Sequence, residues 1–317
     1  MIELSIADLL FGQVLCVHPD KLATVLSVMS KRLHITSAEG IELNTSLAYV
    51  PETVAAPGGV QVSGAGQWQD IGHGVALLPI SGSLVARTRG LDTMSGLQSY
   101  RQIGSDFEAL MQDDSVQHII LQISSPGGST NSLPDLVDQI EAARGVKPVT
   151  ALIDDEAYSA AYWIASAADE IVMSRTGGAG SIGAMGVHVD RSGANEQAGI
   201  KVTALTSGKR KDSLSPHAPL GDDARAELQG LVDQMGSMFI DGVARLRGLS
   251  ASDVRALEAG TLHGQAAVAA GLADRIAPAM TAIREIRERY ASNHVQAPAR
   301  QAGRVQRQAK AMAMRLD

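Results

Sequence analysis

Three stretches of the chain carry residue types able to do chemistry. The first, ISSPGGST at 123–130, follows the apolar run HIILQ and precedes a helical pattern. Pro126 fixes one backbone angle, and Gly127 and Gly128 permit a sharp turn that leaves main-chain N–H groups pointing outward, where an oxyanion could be held. An ordinary strand-to-helix turn has the same composition. The second is Ser159, placed where VTALIDDEAY gives way to AAYWIASAA. Unpaired N–H groups and the dipole at a helix start stabilise an alkoxide or a tetrahedral intermediate. The small Ala160 and Ala161 leave room for a substrate backbone, although a plain helix cap uses serine in the same place. The third is TSGKRKDSLSP at 206–216, just after KVTALT. Period-two alternation puts Lys209 and Lys211 on one face and Arg210 on the other. A lysine is a general base only where burial or a nearby positive charge lowers its pKa; GKRK equally fits a solvated basic turn.

Other chemistries find less support. Ala-Tyr-Ser-Ala-Ala is not the Gly-x-Ser-x-Gly elbow. His73, His118, His188, His217 and His263 are scattered, and His118 and His188 fall in apparent strands, which implies structural roles. No metal-ligand cluster is visible, so neither metal nor cofactor is expected.

The elements that must position these residues begin near residue 75. VALLPISGSL (75–84), HIILQIS (118–124), VTALID (149–154), EIVMS (170–174) and KVTALT (201–206) read as strands. SGLQSYRQIGSDFEALMQ, SLPDLVDQIEAAR and SAAYWIASAA read as the helices between them, which predicts an α/β sheet covered by helices. A long helix is expected over 223–247, then two short ones closing the domain near 278. Upstream, 17–33 has helical spacing with Asp20 as its cap, and 51–70 is a Pro/Gly/Ala-rich linker. The expected division is an N-terminal extension and linker over 1–65, a catalytic domain over 66–278, and a basic, partly helical or disordered tail over 279–317.

Composition narrows the class. Hydrophobic residues make up 45% and aromatic residues 3%, so the core must be built from Ala, Val, Ile and Leu. The net charge of −7 divides into about +5 over 281–317 and −12 elsewhere. An acidic body argues against direct nucleic-acid binding, while the basic tail leaves room for an acidic partner. Cys16 is the only cysteine, which excludes an intrachain disulfide and favours a reducing compartment. No apolar run is long enough to span a bilayer, and the expected setting is cytoplasmic.

Taken together, SSPGG, the run YSAAYWIASAADEI, GAGSIGAMGVHVD (178–190) and SGKRKDSLSP resemble the signal peptide peptidase A-like serine peptidases over about 75–275. The resemblance implies a Ser/Lys dyad, with Ser159 as nucleophile and Lys211 as base; Lys209 is the alternative. It implies oxyanion donors from the N–H of Gly127 or Gly128, with Ala160 as a second. It also implies the crotonase/Clp-protease fold of repeated β-β-α units, and a homo-oligomer in which neighbouring protomers can share a site. HPDKLATVL, the SAAYWIASAAD form and ELQGLVDQMGSMFIDGVARLRGLS resemble the head-maturation proteases of tailed phages and prophages. That branch implies capsid and scaffold proteins as substrates, cleaved inside the assembling prohead in the host cytoplasm. A signal-peptide or membrane-protein peptidase, a non-catalytic assembly factor and an acyl-CoA-binding crotonase are the competing readings.

Overall fold

A computed structural model of the chain describes residues 14–18, 68–88 and 97–291. The expected helix over 17–33, most of the linker and the tail beyond 291 lie outside the described residues. The order is β1 (Val14–Val17), β2 (Gln69–Asp70), β3 (Val75–Ser81), β4 (Ser83–Val85), β5 (Leu97–Ser99), α1 (Tyr100–Gln112), β6 (His118–Ser125), β7 (Gly127–Ser129), α2 (Leu133–Glu141), β8 (Val149–Tyr158) and α3 (Ala160–Ser166). Then follow β9 (Glu170–Met173), β10 (Gly178–Gly180), β11 (Met185–Gly186), α4 (Ser192–Gln197), α5 (Asp222–Arg247), α6 (Ala251–Arg255), β12 (Thr261–His263), α7 (Gln265–Ala269) and β13 (Arg275–Ile276). A last helix, α8, covers 279–291.

The strands sort into two sheets. The larger runs β12-β10-β8-β6-β3-β2, with β9 beside β8 and β13 beside β9; the smaller runs β11-β1-β7-β4-β5. In the first two repeats, one strand enters the large sheet (β3, β6), the next enters the small sheet (β4, β7), and a helix follows. This is the expected pattern of β-β-α units. The central strands are parallel and apolar on both faces, as strands with both faces covered must be. In β6, Ile119, Leu121 and Ile123 join the main core against α1, α2 and α3. Ile120 faces the other way, toward Val75, Leu152, Val172 and the α8 residues Ala282 and Ile286.

The helices form for legible reasons. In α1 the buried Tyr100, Ile103, Phe107 and Leu110 recur at helical spacing, and Ser99 caps the start by accepting from the Gln102 N–H at 3.4 Å. In α5, Asp222 and Asp223 lie at the N-terminus and Arg245 and Arg247 at the C-terminus, each matching the dipole, and Gly248 ends the helix at φ 66°. Arg144 ties two helix ends together. Its guanidinium donates to the carbonyls of Ser166, Ala167 and Ala168 and, at 3.3 Å, to that of Leu246, groups that helix C-termini leave without partners.

His118 confirms the structural role expected of it. It is buried, its ring nitrogens lying 3.1 Å from Tyr290 Oη and 3.0 Å from Thr150 Oγ1. Burial, reinforced by the charge of Arg289, brings its pKa down to about 4. An unfolded chain titrates histidine near 6.5, so between these values the unfolded state binds more protons. Stability therefore falls as pH drops from 6.5 toward 4, by up to about 3 kcal/mol. Urea midpoints at pH 7 and 4.5 should separate more in the wild type than in His118→Asn. His188, by contrast, lies outside any strand.

Candidate active site

Strand β8 delivers Ser159. Its first half pairs with β9 and its last residues with β10. Against β6 the register slips: Ile123 pairs with Ile153 but Ser125 with Ala157, so four residues of β8 span the length of two. Such a bulge bends a strand and re-aims the side chains beyond it. Ser159 then takes φ 54°, ψ −121°, a conformation L-residues rarely adopt and which costs about 1–3 kcal/mol. It is pinned by its N–H donating to Gly180 O at 2.8 Å and its carbonyl accepting from Trp163 N–H at 3.0 Å. Ser159 stands at the N-cap position of α3, but its hydroxyl makes no cap hydrogen bond to the helix. Because a glycine would relieve the strain, Ser159→Gly should melt above Ser159→Ala, by about 1 kcal/mol.

The Pro-Gly-Gly stretch is a strand rather than a bare turn. Gly127, at φ 102°, lies so close to Ser159 that a Cβ there would stand 2.9 Å from the Ser159 Cβ and collide with the carbonyl of Cys16. A Cβ at Gly128 would drive into the Leu84 carbonyl. Gly128→Ala should therefore cost about 3 kcal/mol, at the upper end of overpacking, measurable as a lowered denaturant midpoint. The Gly127 N–H donates to Ser125 Oγ at 3.2 Å, and Ser125 Oγ donates to Gly82 O at 2.7 Å. Gly128 is buried and paired with Cys16, and alternation from the His18–Pro126 bond points its N–H toward β1. Ala160 follows Ser159 directly as the first residue of α3, fully buried. Four of the expected residues, Gly127, Gly128, Ser159 and Ala160, thus meet.

The two lysines lie on an exposed segment. KVTALT is not a strand: 201–206 carries no regular structure and is exposed. Residues 209–214 are turns, held by the Lys211 N–H donating to Gly208 O at 3.2 Å and Ser213 Oγ donating to Arg210 O at 2.9 Å. Strand alternation therefore does not apply to Lys209 and Lys211. Both are exposed, whereas Ser159 is 1% exposed. The neighbouring Ile200, Val202 and Leu205 also face solvent, Leu205 at 95%. Among the described residues this apolar segment pairs with no strand.

Three further features went unread in the sequence. Tyr158 holds its ring between His18, at 4.9 Å between centroids, and His263, at 6.3 Å. Ser181 is buried at φ 55°, its N–H donating to Gly260 O at 2.9 Å. Above all, β1 lies against the site. Cys16 is fully buried and hydrogen-bonded to Ser159; burial pushes its thiol up to about 12, with the serine pulling the other way. The run VLCV is too short to stand out, and only its pairing partners reveal its place.

Residues 141–293, which include Ser159 and both lysines, match peptidase family S49. Over that span the chain is similar to the S49 peptidases. It is 33% identical over 285 residues to the capsid assembly protease C of Escherichia phage lambda, covering 89% of this chain and 65% of that one. It is 37% identical over 211 residues to the head-tail preconnector protein GP5 of Enterobacteria phage P21, covering 67% of this chain and 42% of that one. The chain thus spans less than two thirds of the length of either phage relative. A putative signal peptide peptidase SppA of Enterococcus faecium is 25% identical over 174 residues, 54% of this chain and 51% of that one. Among the described residues, no helix is long and apolar enough to cross a membrane.

Proposed function

We propose that the protein is a serine endopeptidase that cleaves capsid and scaffold proteins during phage prohead assembly in the host cytoplasm. The observation that carries this reading is Ser159: a buried serine in a strained backbone conformation, its hydroxyl not spent on capping α3 and set against the Gly127–Gly128 strand. Strain at one polar residue persists only where the surrounding structure enforces it, and such residues gather at functional sites.

In this reading neutral Lys211 takes the Ser159 proton and the alkoxide attacks a peptide carbonyl. The Gly128 N–H, with Ala160 N–H beside it, receives the negative oxygen. Lys211 then protonates the leaving amine, and water releases the acyl-enzyme by the reverse steps. A lysine acts as a base only where water is stripped from it. Exposed Lys211 gains that burial against a neighbouring protomer, and the exposed 200–206 segment offers a surface for the contact. No cofactor enters the scheme. Co-expression with a phage capsid gene and its scaffold tests the proposal: capsid or scaffold protein should be shortened by wild type and Lys209→Ala but not by Lys211→Ala. The reverse pattern would move the base to Lys209, and unshortened protein with wild type would leave an assembly factor. Shortening only of a signal-peptide substrate would point to the second branch of the family.

A further inference from the structure

Strand β1 is inserted where a peptide substrate should lie. It pairs antiparallel with β7 on one side, Leu15 to Ser129, Cys16 to Gly128 and Val17 to Gly127. On its other side Val14 and Leu15 pair with Gly186 and Met185 of β11. The pairing continues past the strand ends, with His18 N–H donating to Pro126 O at 2.8 Å and Thr130 Oγ1 donating to Val14 O at 2.9 Å. In an antiparallel ladder the hydrogen-bonded pairs alternate. With His18 and Pro126 one such pair, Cys16 and Gly128 are the next, so the Cys16 carbonyl lies on the amide assigned to the oxyanion. The same carbonyl and the Ser159 Cβ both crowd the point where Gly127 has no side chain, and the Cys16 thiol is hydrogen-bonded to Ser159. One residue of this strand therefore presents both its carbonyl and its side chain to the serine.

We infer that Val14–Val17 occupies the peptide-substrate groove, an intramolecular occupant that must leave before another chain can reach Ser159. The inference rests on Ser159 being the nucleophile and goes beyond it. The groove takes an extended segment by strand addition, main-chain hydrogen bonds supplying affinity and the buried side-chain positions supplying selectivity. Cys16 is fully buried and Leu15 nearly so, which selects a small side chain opposite Ser159 and an apolar one before it. The acyl side is Cys16 and the leaving side Val17. Because the occupant is tethered, its effective concentration is high and it competes with any free peptide.

The test is the rate at which a fluorophosphonate labels Ser159 in the full chain, compared between wild type, Cys16→Arg and Leu15→Asp, with melting curves confirming that each is folded. Both variants should label faster by at least about tenfold, as when an open state rises from a tenth of the population to most of it. A peptide of sequence Gln-Val-Leu-Cys-Val-His, matching residues 13–18, should slow them again. Equal rates in all three folded proteins overturn the inference and leave Ser159 as nucleophile. No labelling of Ser159 in any of them removes the nucleophile and the inference with it. A wild-type measurement stands beside the variants in case they unfold: the amides of 14–17 should exchange deuterium faster once Ser159 carries the phosphonate. Unchanged protection there also overturns the inference.

Discussion

Ser159→Ala lowers cleavage of the co-expressed capsid protein by at least about 10³-fold while the protein stays folded, because nucleophile and base act as one unit and loss of either removes nearly all of their joint effect. The size of the effect follows from geometry. Ser159 is fixed by the Gly180 carbonyl at 2.8 Å and by α3 behind it, so no neighbouring hydroxyl can be brought to the same point without rebuilding the end of β8. Ser181, also buried and also at positive φ, is held by a different contact with Gly260. Ser181→Ala should keep most of the activity, measured as initial rate under the same conditions. A comparable loss in Ser181→Ala would shift the chemistry to that serine.

The second large effect concerns Lys211. Lys211→Ala should be as inactive as Ser159→Ala, yet mixing the two inactive proteins in equal amounts and allowing subunits to exchange should restore activity. If each site takes its serine from one protomer and its lysine from the next, about one site in four receives both native residues, so about a quarter of wild-type activity returns. Mixtures that remain inactive would mean that serine and lysine come from the same chain. The exposed segment around Leu205 supplies a control. If the proposed subunit contact runs through this segment, Leu205→Asp should weaken assembly and cleavage together, read by sedimentation and by initial rate, because a charge would replace an apolar side chain there.

How far the sequence could be read depended on how local each feature was. The strands HIILQIS and VTALID and the helix around Phe107 and Leu110 follow from runs and periods within a dozen residues, and the structure places them where expected. Ser159 was legible because its small neighbours and the preceding strand are contiguous. The slip in the β6–β8 register, which aims that serine, depends on two strands some thirty residues apart and leaves no local mark. KVTALT has the composition of a strand but finds no partner among the described residues, so composition alone overstated it. Lys211 is proposed as the base through resemblance alone, since a turn of exposed basic residues has no local signature of a base. The place of Val14–Val17 was the least legible, because a four-residue apolar run gains meaning only from the Gly127–Ser129 and Met185–Gly186 strands that receive it.

The most direct measurement is mass-spectrometric mapping of a fluorophosphonate adduct on the assembled full-length protein under conditions where capsid protein is being shortened. The account predicts a single adduct on Ser159, lost in Ser159→Ala and strongly reduced in Lys211→Ala. Continued shortening of capsid protein by Ser159→Ala, or an inhibitory adduct on any other residue, would contradict it.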